Sequence, residues 1–137
     1  MYGSVKVWQE IISLPTWTTG AEDPNPMFLE KRVYQGSSGS VYPYGVIDTL
    51  PGEREMRDYQ AVWMENDFLR VMLLPELGGR IHRAYDKVKQ RDFVYYNEVV
   101  KPALVGLLGP WISGGIEFNW PQHHRPKIGR ASCRERV

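Results

Sequence analysis

The chain has 137 residues, with Lys+Arg 17 against Asp+Glu 16 and a formal net charge of +1, so nothing in its charge calls for a nucleic acid or an anionic membrane as partner. One cysteine excludes an internal disulfide framework and any multi-cysteine metal site, and no apolar run approaches the roughly 20 residues of a membrane-spanning helix. Met1 to Trp8 has no basic segment followed by an apolar one, so a cytoplasmic location is expected. Five Trp, eight Tyr and four Phe stand beside 13 Gly and 10 Pro. That mixture suits strands joined by Gly/Pro turns and predicts an all-β domain.

Val5 to Leu14 reads as a strand with Val5, Val7 and Ile11 on one face, closed by Pro15. Thr16 to Pro26 is a loop, Met27 to Tyr34 a second strand candidate, and residues 36–39 a turn. Pro43 makes the start of Val41 to Leu50 an edge or irregular strand. Pro51 to Asp58 reads as a charged connector. Tyr59 to Glu65 alternates, with Tyr59, Ala61 and Trp63 on one side. Asn66-Asp67 then turns the chain into Phe68 to Leu74, which predicts a hairpin. Pro75 to Gly79 turns again. Arg80 to Tyr85 follows with Ile81, Arg83 and Tyr85 on one face, and Asp86 to Arg91 is a polar turn. Val99 to Gly109 is apolar without a clear period and fits a short helix or a buried strand. Strands at this spacing belong to a sandwich or barrel.

Chemistry concentrates near the end. Gly78-Gly79 and Gly114-Gly115 fit no dinucleotide or phosphate-loop pattern; they serve turns needing positive φ, or let a ligand approach neighbouring side chains. His123 and His124 are adjacent, so in a strand they point to opposite faces and could share an ion only in a loop. With no HExxH and no cysteine pair, no metal and no cofactor is expected. One of these histidines could act as general acid or base near neutral pH, or the two could be a surface pair. In a strand, Glu117 and Asn119 share one face while Ile116, Phe118 and Trp120 take the other. A carboxylate near an imidazole is a workable proton-transfer pair, and Trp111 and Trp120 could offer flat faces to the C–H faces of a sugar; equally, Trp120 could be core and Glu117 solvated.

Several stretches resemble one family. Pro75-Glu76-Leu77-Gly78-Gly79-Arg80-Ile81 with Tyr85-Asp86-Lys87, then Asn97 and Lys101-Pro102-Ala103, then residues 111–124 (WISGGIEFNWPQHH), together with Tyr42-Pro43-Tyr44, are similar to the domain-of-unknown-function 5107 family. The resemblance implies a galactose mutarotase-like β-sandwich, a supersandwich with a sugar-binding cleft, often continued by tetratricopeptide repeats. It implies that this chain is the N-terminal part of that fold, truncated before the later cleft strands. Arg80, Glu117, Asn119, His123 and His124 would be cleft residues, with Glu117, His123 and His124 as candidate catalytic groups and Arg80, Asn119, Trp111 and Trp120 as substrate-binding groups. The expected partner is a carbohydrate, acted on by acid/base chemistry if the domain is catalytic. The alternative is a non-catalytic glycan-binding or scaffold module attached to tetratricopeptide repeats that recruit protein partners. Residues 127–137 have no hydrophobic period, carry the single cysteine and hold four basic residues against one acidic. They resemble a translated sequencing adapter, so the expected domain is 1–126, with 127–137 a non-native tail.

Overall fold

The computed structural model describes residues 3–23, 47–106 and 109–118. Among these residues the protein is all-β: seven strands in two antiparallel sheets and a single 3-10 turn. The strands are β1 (Lys6–Trp17), β2 (Arg54–Glu65), β3 (Leu69–Leu74), β4 (Arg80–Asp86), β5 (Arg91–Asp92), β6 (Pro102–Gly106) and β7 (Gly109–Ile112). The first five form one sheet in sequence order, and β6 and β7 pair separately. No helix among the described residues is long and apolar enough to cross a membrane.

β1 runs three residues past the expected stop. Pro15 is tolerated because β1 is an edge strand. The Pro15 carbonyl accepts from the Val100 N–H on the outer edge, so the missing proline N–H is lost from that side and not from the ladder with β2. The face holding Val5, Val7 and Ile11 is exposed, whereas Leu14 and Thr16, two and four residues beyond Ile12, are buried. β2 begins at Arg54, so the charged stretch Pro51 to Asp58 is a strand in its second half and not a connector. Its charges face solvent, and pairing with β1 from Trp17↔Arg54 onward decides its conformation.

Tyr59, Ala61 and Trp63 share the inner side of β2, as their alternation predicts. Trp63 lies opposite Trp8, their rings stacked at 6.0 Å and 10°. The buried Thr16 hydroxyl meets the Tyr59 hydroxyl at 2.9 Å. Asn66 makes the hairpin to β3: its Oδ1 accepts from Phe68 N at 2.9 Å and Leu69 N at 2.8 Å, which is how a short amide side chain imitates a backbone turn. After β3, Pro75–Leu77 forms one 3-10 turn, and Gly78 and Gly79 take φ of 75° and 67° to re-enter the sheet.

The core lies between the sheets. Leu14, Tyr59, Ala61, Met72, Leu74 and Leu77 pack with Val100, which bridges the edge of β1, and with Ile112 of β7. This is the two-layer solution expected of half-apolar strands. The described part of the apolar stretch Val99 to Gly109 is extended: Val100 bridges Thr16, Pro102–Gly106 is β6 and Gly109 starts β7. The strand candidate Met27 to Tyr34, the turn at 36–39 and Tyr42-Pro43-Tyr44 lie outside the described residues.

Candidate functional site

β3 and β4 pair with a register shift. Met72 lies opposite Arg83 and Leu73 opposite Ile81, so His82 is an extra residue in β4. Such a bulge re-aims side chains. Here it accompanies two polar groups turned inward, Arg80 at 2% exposure and His82 at 0%. Arg80 donates from Nη1 and Nη2 to the Ile112 carbonyl, each at 3.2 Å, and from Nη2 to the Gly114 carbonyl. It is therefore a clamp across the sheets, fixing the end of β7 and the loop after it.

That loop, residues 113–118, is held from two more directions. The Ile116 N–H donates to Ile81 O at 2.8 Å and the Ile81 N–H to Ile116 O at 3.0 Å. The Gly115 N–H donates to Tyr95 O at 2.8 Å, and Asn97 Nδ2 to Ser113 Oγ at 3.2 Å. Gly115 has φ of 70°, and a Cβ there would overlap the Ile81 carbonyl. Only glycine lets the loop lie this close to β4 at that backbone angle. The loop in turn places Glu117, half-buried, where its Oε2 accepts from Trp111 Nε1 at 3.2 Å.

The electrostatics follow from burial. Desolvation lowers the pKa of the Arg80 guanidinium, and the Glu117 carboxylate opposes that effect as its counter-charge. His82 is held down at about 4, first by burial and then by the Arg80 charge, with the Asn97 backbone offsetting a little. Among the described residues neither of its ring nitrogens has a hydrogen-bond partner in good geometry; its ring meets Tyr96 edge-on at 5.6 Å. Arg83, next along β4, is committed elsewhere. It donates to Asp92 at 2.8 and 3.1 Å and lies over the Tyr96 ring at 4.5 Å.

Of the residues singled out from sequence, Arg80, Trp111 and Glu117 come together, with Arg80 beneath the loop and Trp111 and Glu117 partly open. Asn119, Trp120, His123 and His124 lie outside the described residues. No group of three or more His, Cys, Asp or Glu residues is placed to hold a metal among the described residues. His82 is a site residue that the sequence does not single out. Its only signal was that Arg80, His82 and Ala84 alternate with Ile81, Arg83 and Tyr85, and nothing local says which set turns inward.

The model of a domain of unknown function, DUF5107, matches residues 37–132. The chain belongs to the DUF5107 family. The match includes both the Pro75–Ile81 stretch that starts β4 and the 111–124 stretch that carries the loop, and it extends past Pro126. The DUF5107 chain is also similar to a crystal structure of a TPR-domain containing protein from Parabacteroides distasonis, with a TM-score of 0.75 and 21% identity over 92% of this chain. At that identity the likeness speaks for the fold. The chain spans 21% of the length of that structure.

Proposed function

We propose that the DUF5107 chain supplies part of a carbohydrate-binding or carbohydrate-active surface on a galactose mutarotase-like β-sandwich. The observation that carries this is the hydrogen bond from Trp111 Nε1 to Glu117 Oε2 on a glycine-built loop. It fixes an indole plane beside a carboxylate. An indole can stack on sugar C–H faces, and a carboxylate accepts hydrogen bonds from hydroxyls. In this reading Arg80 serves the site from beneath, by holding the loop through the Ile112 and Gly114 carbonyls. Asn119 and Trp120 would extend the surface, and His123 or His124 would move protons at a ring or glycosidic oxygen.

Acid/base chemistry at an anomeric centre fits this set better than glycoside hydrolysis. Mutarotation needs one acid and one base, whereas hydrolysis usually needs two carboxylates at a set separation, and Glu117 is the one carboxylate assigned here. The test is anomer equilibration of several aldoses followed by NMR. Acceleration over buffer that is lost in Glu117→Gln and in His123→Asn or His124→Asn supports an epimerase-type activity. Sugar binding with no acceleration removes catalysis and leaves a glycan-binding module.

A second reading is a scaffold module attached to tetratricopeptide repeats. It is favoured by the similarity to a protein described as TPR-domain containing, of which this chain spans 21%. Absence of any sugar binding would support it and remove the carbohydrate reading.

A further inference from the structure

We propose that β1 is a pairing edge for a second copy of this chain: two β1 strands join antiparallel around Trp8 and merge the two five-stranded sheets into one. The inference stands apart from the carbohydrate reading. β1 lies at the end of its sheet. Its outer edge is engaged at the far end, where the Val100 N–H donates to Pro15 O and the Trp17 N–H donates to Val100 O. Those bonds fix which way the backbone points. Successive residues of a strand alternate, so Val7, Gln9, Ile11 and Ser13 aim their N–H and C=O away from β2, as Pro15 aims its carbonyl. Among the described residues nothing pairs with that row. The exposures agree, with Val7 at 62% and Ile11 at 65%, and Lys6, Gln9 and Glu10 also exposed. A long edge with open donors, open acceptors and apolar side chains is a template for another strand.

Charge complementarity selects the occupant and the register. With Trp8 opposite Trp8, a second β1 sets Lys6 opposite Glu10 twice, once on each side of the two-fold axis. Val7 and Gln9 then exchange backbone hydrogen bonds, and Val5 faces Ile11. A pairing centred on Lys6 would set Lys6 against Lys6, and one centred on Glu10 would set Glu10 against Glu10. Pairings centred on Val7 or Gln9 leave both charges without a counter-charge. Opposite charges directly across a strand pair stabilise it and like charges destabilise it. Lys6 is available for this role because Glu65, its neighbour on β2, already binds Arg70 and Lys87. The Glu10 carboxylate is held beside the axis, where it accepts from Trp8 Nε1 at 3.4 Å. Trp8 is stacked on Trp63 in each copy, so the two stacks meet across the axis. The contact uses the same patch on both copies and closes at two.

Sedimentation velocity of the 137-residue chain, from micromolar to sub-millimolar concentration at low salt, tests the pairing. A monomer–dimer equilibrium is expected. Lys6→Glu should weaken it about tenfold, by turning two attractions into two repulsions. Adding Glu10→Lys to Lys6→Glu should restore it, since the exchanged pair attracts again. Val7→Pro should abolish it. The N–H it removes points away from β2, so the β1–β2 ladder stays whole and the far-ultraviolet circular dichroism should match the parent. If Val7→Pro fails to fold, the charge exchange decides alone. A chain that is monomeric throughout overturns the inference. So do assemblies larger than a dimer, a dimer that Lys6→Glu leaves intact, and a Lys6→Glu loss that Glu10→Lys does not repair.

Discussion

In the β2–β3 hairpin the turn is closed mainly from within: Asn66 caps it with its own side chain and Arg70 pairs with Glu65, with Lys87 joining from just after β4, while Tyr59, Ala61 and Trp63 pack into the apolar core. The loop at 113–118 is held by Arg80, Ile81, Tyr95 and Asn97, none of them within its own hairpin. The hairpin is apolar inside and charged outside. The loop is seated on a buried guanidinium and a buried imidazole. The difference is one of cooperativity. The sheet core stands or falls with the whole fold, whereas the loop hangs on a few polar bonds whose loss can be local.

Leu74→Ala gives the largest expected effect. The side chain is fully buried between the sheets, and its truncation should cost about 2–5 kcal/mol by lost transfer energy and the cavity left behind. Urea unfolding measures the loss, and hydrogen exchange should show it spread over β1 to β4. If protection fell in β3 alone, the sheet would not be one cooperative unit.

Arg80→Met comes next and should separate the two regions. It fills similar volume but leaves the Ile112 and Gly114 carbonyls without their donor, at a cost of about 1–3 kcal/mol. The loss should appear as faster exchange of the Gly115 and Ile116 amides while the β1–β2 ladder keeps its protection. Uniform loss across both sheets would mean that Arg80 supports the core rather than the loop.

These two side chains also mark what could be read from the sequence. The hairpin was legible because its information is local: an alternating set, an Asn-Asp turn and a second, mostly apolar run. The Pro75–Gly79 turn was legible for the same reason. The stretch at 51–58 was misread because its charges lie on a solvated strand face, and only pairing with β1 makes it extended. Val99 to Gly109 carried no period because Val100, Pro102 and the β6–β7 pair answer to different neighbours. At the site, Glu117 with Trp111 was legible as a composition of types. The inward turn of Arg80 and His82 was not, since it depends on carbonyls and a glycine more than thirty residues away and on a one-residue bulge that alternation does not announce.

His82→Phe should have the smallest effect at neutral pH and the clearest signature in acid. A buried imidazole with neither nitrogen partnered gains little from its polar atoms, so an apolar ring of similar shape should leave stability at pH 7 within about 1 kcal/mol of the parent. The pH dependence should differ. His82 is held at about 4 in the folded chain against an ordinary 6.5, so between those values the unfolded chain binds more protons. Stability is therefore fully present above pH 6.5 and falls as the pH drops toward 4. Glu65, lowered from 4.5 to about 2 by Arg70 and Lys87, acts in a separate window: its contribution is present above 4.5 and is lost as the pH falls toward 2. Thermal melts from pH 8 to pH 2.5 should thus decline in two stages in the parent. His82→Phe should remove the upper stage alone and Glu65→Gln the lower. If His82→Phe left the upper stage intact, the acid-sensitive group would lie elsewhere, and the inward turn of β4 would not be what couples the site to pH.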